Sequence, residues 1–220
     1  MYTIKDLYDL DHTIAKDYLL SFTYPWEALK GIKDLILALG PQLGDDYEEV
    51  SEHVWVHRTA KVFASAYLGE PCIIGPETEV RQCAFIRGSA LIGAGCVVGN
   101  SAELKNVILF DNVQTPHYNY VGDSILGYRS HMGAGSITSN VKSDKKLVVV
   151  HNGDEQIETG LKKFGAMLGD FVEVGCNSVL NPGTVIGRHS NIYPTSCVRG
   201  VVPENSIWKN DGTVIEKTEE

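Results

Sequence analysis

From Val56 onward every sixth residue of the chain is aliphatic for nine consecutive steps: Val56, Val62, Leu68, Ile74, Val80, Ile86, Ile92, Val98 and Leu104. The beat returns at Leu126 and Met132, lapses at Thr138, and resumes at Leu168, Val174, Leu180, Ile186, Ile192 and Val198. Nine hits in a row arise by chance on the order of once in 10⁵ trials, so the period is structural. Glycine follows the aliphatic residue at positions such as Gly69, Gly75, Gly133 and Gly187, and a small side chain such as Ala84, Cys96 or Ser178 stands two places before it. Six residues hold one short strand and one corner, with the aliphatic side chain pointing inward and glycine expected to relieve the corner. A unit this short buries nothing alone and must stack on its neighbours. The expected fold is an all-β solenoid.

Two stretches break the beat and are expected to leave the solenoid as loops. The first lies between Leu104 and Leu126, whose spacing exceeds three units by four residues; it contains His117 between Pro116 and Tyr118. The second, residues 141–163, carries Leu147 to Val150, an Asn152-Gly153 turn and Gln156-Ile157, and reads as an inserted β-hairpin arm. Residues 1–50 precede the repeat and read as a helical segment: Thr3 and Asp6 cap a first helix, and Pro25 starts a second with Trp26, Leu29, Ile32, Ile36 and Leu39 on one face. The repeat is assigned to 51–200, and 201–220 to a terminal hairpin and tail.

A net charge of -9 argues against nucleic acid or an anionic membrane as the main partner, while leaving room for a local basic pocket. The five cysteines form no CxxC pair, so neither a zinc site nor a disulfide framework is expected. No stretch resembles a signal peptide or a membrane span, and the protein reads as soluble and cytoplasmic.

The repeat resembles that of the hexapeptide transferases, which implies a left-handed parallel β-helix with three units per triangular coil and, typically, a homotrimer. The eighteen units on the beat would make about six coils. A closer resemblance is carried by Glu103-Leu104-Lys105, by His117-x-x-Tyr120-Val121-Gly122-Asp123 and by Gly133-Ala134-Gly135-Ser136-Ile137-Thr138-Ser139-Asn140. In order and spacing these are similar to the acetyltransferase domain of the bifunctional N-acetylglucosamine-1-phosphate uridylyltransferases. The segment Thr159 to Ala166 resembles the variant acting on several sugar-1-phosphates, and the similarity spans roughly residues 55 to 205.

That resemblance implies transfer of acetyl from acetyl-CoA to the amine of an amino-sugar 1-phosphate or nucleotide-linked amino sugar. It assigns His117 as general base and the Ala134 N–H as oxyanion donor, with Asn140 positioning the sugar and acetyl groups. Arg87, Lys105, Tyr120 and Lys146 match sugar-phosphate ligands. His131 stands where the family has a sugar-contacting asparagine. Ala134 and Cys176 would border the coenzyme, and Lys209 would meet one of its phosphates. Bland readings compete: Arg87 and Lys105 as solvated corners, Asn140 as a turn residue, Lys146 as part of a charged run, Arg81 and Arg129 as surface charges. No Gly-rich nucleotidyltransferase loop occurs in the sequence, so pyrophosphorylase activity is not expected. A trimeric, non-catalytic sugar-phosphate-binding module is the alternative function. A zinc enzyme of the γ-carbonic anhydrase kind is disfavoured, because His117, His131, His151 and His189 include no pair four residues apart.

Overall fold

The computed structural model describes residues 1–218. Its body is a parallel β-solenoid with three faces, each stacking strands from successive coils. The first face runs Val54–His57, Cys72–Ile74, Ala90–Ile92, the ends of Glu103–Leu109 and Tyr120–Leu126, then Ala166–Leu168, Thr184–Ile186 and Val201–Val202. These eight rungs exceed the six coils expected from the beat.

One of the two extra rungs is Val201–Val202, whose Val202 lies four residues past Val198; the other lies at the first supposed loop, which is not a loop. Leu109 pairs in register with Ile92 above and Leu126 below, so these coils are seventeen residues long. The interval from Leu104 to Leu126 holds four units stepping through Leu109, Thr115 and Val121, two of them five residues long. A six-residue count loses phase across them. Both lost residues come from the corner between the third and first faces, where Glu103–Leu109 and Tyr120–Leu126 run through as unbroken strands. His117 ends the second-face strand Gln114–His117.

Glycine acts differently from the expectation. The glycines after the aliphatic residues do not take positive φ; that conformation falls to later corner residues such as Gly95, Asn112, Tyr118 and Asp123. What Gly75 and Gly133 provide is absence of a side chain: a Cβ at Gly75 would lie 2.5 Å from the Gly93 carbonyl carbon one coil on, and at Gly133 2.6 Å from the Cys176 nitrogen. Close stacking of main chains, rather than torsion, selects glycine there.

The lapse at Thr138 also has a cause. Thr138 is fully buried, and its hydroxyl accepts the Gly122 N–H at 2.9 Å and lies 3.3 Å from the Ser124 hydroxyl. An aliphatic residue would leave that amide without this acceptor where the chain departs into the arm, a cost of about 1–3 kcal/mol for a buried group. The arm's strands, Val149–Asn152 and Glu155–Glu158, pair antiparallel around Gly153. It docks rather than waves: Val148, Val150 and Phe164 are fully buried.

Residues 1–43 form a layer of short helical turns, Ile4–Leu7, Leu10–His12, Lys16–Leu19, Pro25–Gly31, Ile32–Leu39 and Gly40–Gln42. They lie over the first face, whose outward side chains Ile73, Leu91, Ile108, Ile125, Met167 and Val185 are all fully buried. Trp26, Leu29, Ile32 and Ile36 face them from the layer. The role left open by the sequence is therefore to cover an apolar wall that water would otherwise reach. Tyr47–Ser51 then pairs antiparallel with the first rung, and Ser206–Trp208 with Val214–Glu216 forms the terminal hairpin. No described helix is long and apolar enough to cross a membrane.

Candidate active site

The corner joining the second and third faces carries the first group of candidate residues, stacked coil upon coil. His117 is exposed, and its main chain is fixed at both ends: the carbonyl accepts the Gly135 N–H at 3.0 Å, and the N–H donates to Asn119 Oδ1 at 3.1 Å. Asn119 is buried and spans to the next coil, where its amide donates to the Gly133 carbonyl at 2.8 Å and the Ser136 carbonyl at 3.1 Å. Ala134 stands between those acceptors. Its carbonyl takes the Asn177 N–H at 2.9 Å, whereas its own N–H has no acceptor among the described residues. Cys176 is exposed one coil further down, its carbonyl accepting the Thr195 N–H at 2.8 Å. Lys209 is in the terminal hairpin at the foot of this corner, where the neighbouring Asn210 amide donates to the Pro194 carbonyl at 2.7 Å.

The second group meets at the shortened corner between the third and first faces, about 10 Å away along the three residues from Asn119 to Gly122. Asp123 is its hub. Buried and held at φ 49°, it accepts from Lys105 Nζ at 2.9 and 3.1 Å, from the Asn106 amide at 2.9 Å and from the Asn140 amide at 2.5 Å. The Asn140 amide also reaches the Tyr120 hydroxyl at 3.1 Å. Burial, then the carboxylates of Asp123 and Glu103, push the Tyr120 phenol above its ordinary pKa, so it stays a neutral donor. Arg87 donates to Glu103 at 2.8 Å, and this bond with the attendant charge raises the guanidinium pKa further. Two of the four predicted sugar-phosphate ligands, Arg87 and Lys105, thus already hold a carboxylate.

His131 and Lys146 do not join either group in the single chain. His131 faces outward on the second face, with Nδ1 2.8 Å from Glu173. Lys146 is exposed in the arm ahead of its first strand, its N–H held by Asp144 at 3.0 Å. Sequence reasoning quoted Glu103 and Asp123 within motifs without giving either a task, and passed over Asn119. A signal existed for Asn119: at its slot, two before the inward residue, the same corner has Ala84, Ala102, Ser136, Ser178 and Ser196. An amide there is out of pattern, and it falls two residues after the histidine.

The faces, coils and corner glycines define a hexapeptide-repeat protein with an inserted arm. Within that class a family model, the GMPPB C-terminal domain, matches residues 70–202, and the chain belongs to this family. Among curated relatives, the bifunctional protein GlmU of Methanococcus maripaludis is 36% identical over 116 residues, covering 52% of this chain and 28% of that protein. The bifunctional sugar-1-phosphate nucleotidylyltransferase/acetyltransferase of Sulfurisphaera tokodaii is 27% identical over 218 residues, covering 93% of this chain and 54% of that one. The chain thus spans from about a quarter to about half the length of these relatives, and the second alignment takes in most of the N-terminal layer. Most of that layer's sequence thus aligns with a longer relative. Similar solved structures include a perosamine N-acetyltransferase from Caulobacter crescentus in complex with CoA and GDP-perosamine, 17% identical over 74% of this chain and 56% of that one, TM-score 0.32. The polySia-specific acetyltransferase NeuO is 13% identical over 72% of this chain and 80% of that chain, TM-score 0.43.

Proposed function

We propose that the chain is a CoA-dependent N-acetyltransferase acting on the amine of an amino-sugar phosphate or nucleotide-linked amino sugar. The observation that carries this reading is the pairing of an exposed imidazole, His117, with the uncommitted N–H of Ala134 on the adjoining coil, the two turns being tied by the His117–Gly135 and Asn119–Gly133 hydrogen bonds. The name of the Sulfurisphaera tokodaii relative, which includes acetyltransferase activity, supports it. In the reaction the substrate nitrogen attacks the thioester carbonyl, forming the C–N bond; the C–S bond breaks and CoA leaves as its thiol. His117 takes the amine proton and passes it to the departing sulfur. Ala134 donates to the carbonyl oxygen as negative charge develops there. Tyr120 and Asn140 orient the sugar, while Arg87 and Lys105 meet its phosphate by exchanging Glu103 and Asp123 for it in part. Cys176 and Lys209, further along the His117 corner, border the coenzyme. His131 and Lys146, which lie apart in one chain, would be supplied by a neighbouring copy in a homotrimer.

The carboxylates already held by Arg87 and Lys105 favour a second reading, a module of the same fold that binds a sugar phosphate weakly and transfers nothing. Thiol release during incubation with acetyl-CoA and glucosamine-1-phosphate, galactosamine-1-phosphate or nucleotide-linked amino sugars separates the two. Turnover that falls by about 10²-fold or more in His117→Ala supports the enzyme. No turnover across the panel, with wild type and His117→Ala alike, leaves the binding module.

A further inference from the structure

We propose that the cavity between the arm and the last coils is a second ligand site, shaped for the phosphate-ester part of a nucleotide. It measures about 650 Å³, more than a bare phosphate ion needs, and lies in one wall with the Asp123 cluster: Ser139 lines it, and the next residue is Asn140.

The walls are built rather than incidental. The chain enters and leaves the arm through fixed points, the Val148 N–H donating to the Leu161 carbonyl at 2.8 Å and the Phe164 N–H to the Asn140 carbonyl at 3.0 Å. Two glycines admit the arm at close range. A Cβ at Gly200, where φ is +73°, would lie 2.7 Å from the His151 carbonyl oxygen, and one at Gly183 would lie 2.8 Å from a Val148 methyl. Gly200 itself lines the cavity.

Into this space come Arg199, Lys142 and His151, with the hydroxyl residues Ser139 and Ser143. Several other cations are spent on carboxylates: Arg81 on Glu79, Arg87 on Glu103, Lys105 on Asp123, Arg188 on Asp170. Among the described residues Arg199 and His151 have no ion-pair partner, and Lys142 has only Asp144, at 3.4 Å. Two permanent cations and an imidazole facing one carboxylate make a local positive site in a chain of net charge -9. A guanidinium fork suits phosphate oxygens in pairs, and the lysine adds a point charge. Val149 and Pro182 supply an apolar strip on which a ribose or base can lie. The chemistry recognised is therefore a nucleoside phosphate, arriving either as the nucleotide of a linked amino sugar or as a free nucleotide. The first source rests on the acetyl-transfer reading; the binding does not.

Calorimetric titration of the whole chain with UDP and with inorganic pyrophosphate tests the site. Saturable binding is expected, weakened by about tenfold or more in Arg199→Glu and in Lys142→Glu, and unchanged in Arg81→Glu, which alters a half-buried arginine outside the cavity. These positions are solvent-accessible, and circular dichroism checks that the variants fold. Absent binding of both probes, or equal loss in Arg81→Glu, overturns the proposal. With an active enzyme, Arg199→Glu raising KM for the nucleotide-linked acceptor but not for the amino-sugar 1-phosphate assigns the cavity to the acceptor's own nucleotide. Weakened UDP binding with both KM values unchanged assigns it to a free nucleotide.

Discussion

Asn119 ties the two turns on which the proposed chemistry depends, and it does so from a position where its counterparts are alanine or serine. Replacing it with alanine releases the His117 N–H and the Gly133 and Ser136 carbonyls together. Asn119→Ala is expected to lower kcat by about 10²-fold, since small misplacements of reacting groups cost that much, with little change in KM. Serine fits the slot but cannot span to the next coil, so Asn119→Ser should fall with it. A rise in KM at constant kcat would place Asn119 in binding instead. The neighbouring Tyr120 and Asn140 were legible because their spacing matches a known motif. Asp123 and Asn119 were less so, because their work is done through contacts one coil away, which no local pattern displays. Lys105 and Arg87 were found as cations, but their carboxylate partners depend on stacking register.

At the scale of elements, the first face and its helical cover form one packed unit. Its sequence signature was present and unread: on this face two apolar residues stand together at rung after rung, at Ile73-Ile74, Leu91-Ile92, Ile108-Leu109, Ile125-Leu126, Met167-Leu168 and Val185-Ile186. The first of each pair points outward, and a run of outward aliphatics requires something to cover it. Trp26 is the main contribution of the cover, stacked on Tyr24 at 4.7 Å and on Phe164 at 5.8 Å between ring centres, and only 2% exposed. Trp26→Ala should cost about 3–5 kcal/mol in denaturant unfolding and expose part of the wall to dye binding. The two helices expected from capping and periodicity formed, the second beginning as a tighter 3-10 turn over Pro25–Gly31 before Ile32–Leu39. The arm's hairpin was legible from its turn; its docking was not, because Gly183 and Gly200 matter only once the coils are stacked.

For the whole molecule, the layer and the solenoid are joined at Asp170, which accepts from the Asp9 N–H at 2.6 Å and the Tyr128 N–H at 2.8 Å and pairs with Arg188 at 3.0 Å. Beside it Tyr8 is buried, and burial, then the Asp170 charge, drives its phenol well above the ordinary value. The fold favours the neutral phenol, so that stabilisation is complete below the unfolded pKa of about 10 and is lost as pH climbs through the raised native value. Thermal midpoints of the wild type should therefore fall more steeply above about pH 10 than those of Tyr8→Phe. Matching alkaline slopes would assign the loss to other tyrosines. The solenoid class was readable from a period of six, yet the number of rungs was not, since two units of five residues shift the phase and the last rung, Val201–Val202, ends only four residues past Val198. Those short units have a wider meaning. Leu126 and Leu168 remain partners although the arm lies between them, and Ile92, Leu109 and Leu126 remain aligned although a residue is missing from each intervening coil. Additions and deletions at the corners leave the stacked walls undisturbed. Natural variation can rewrite a ligand site by lengthening or trimming a corner while the scaffold it stands on stays the same.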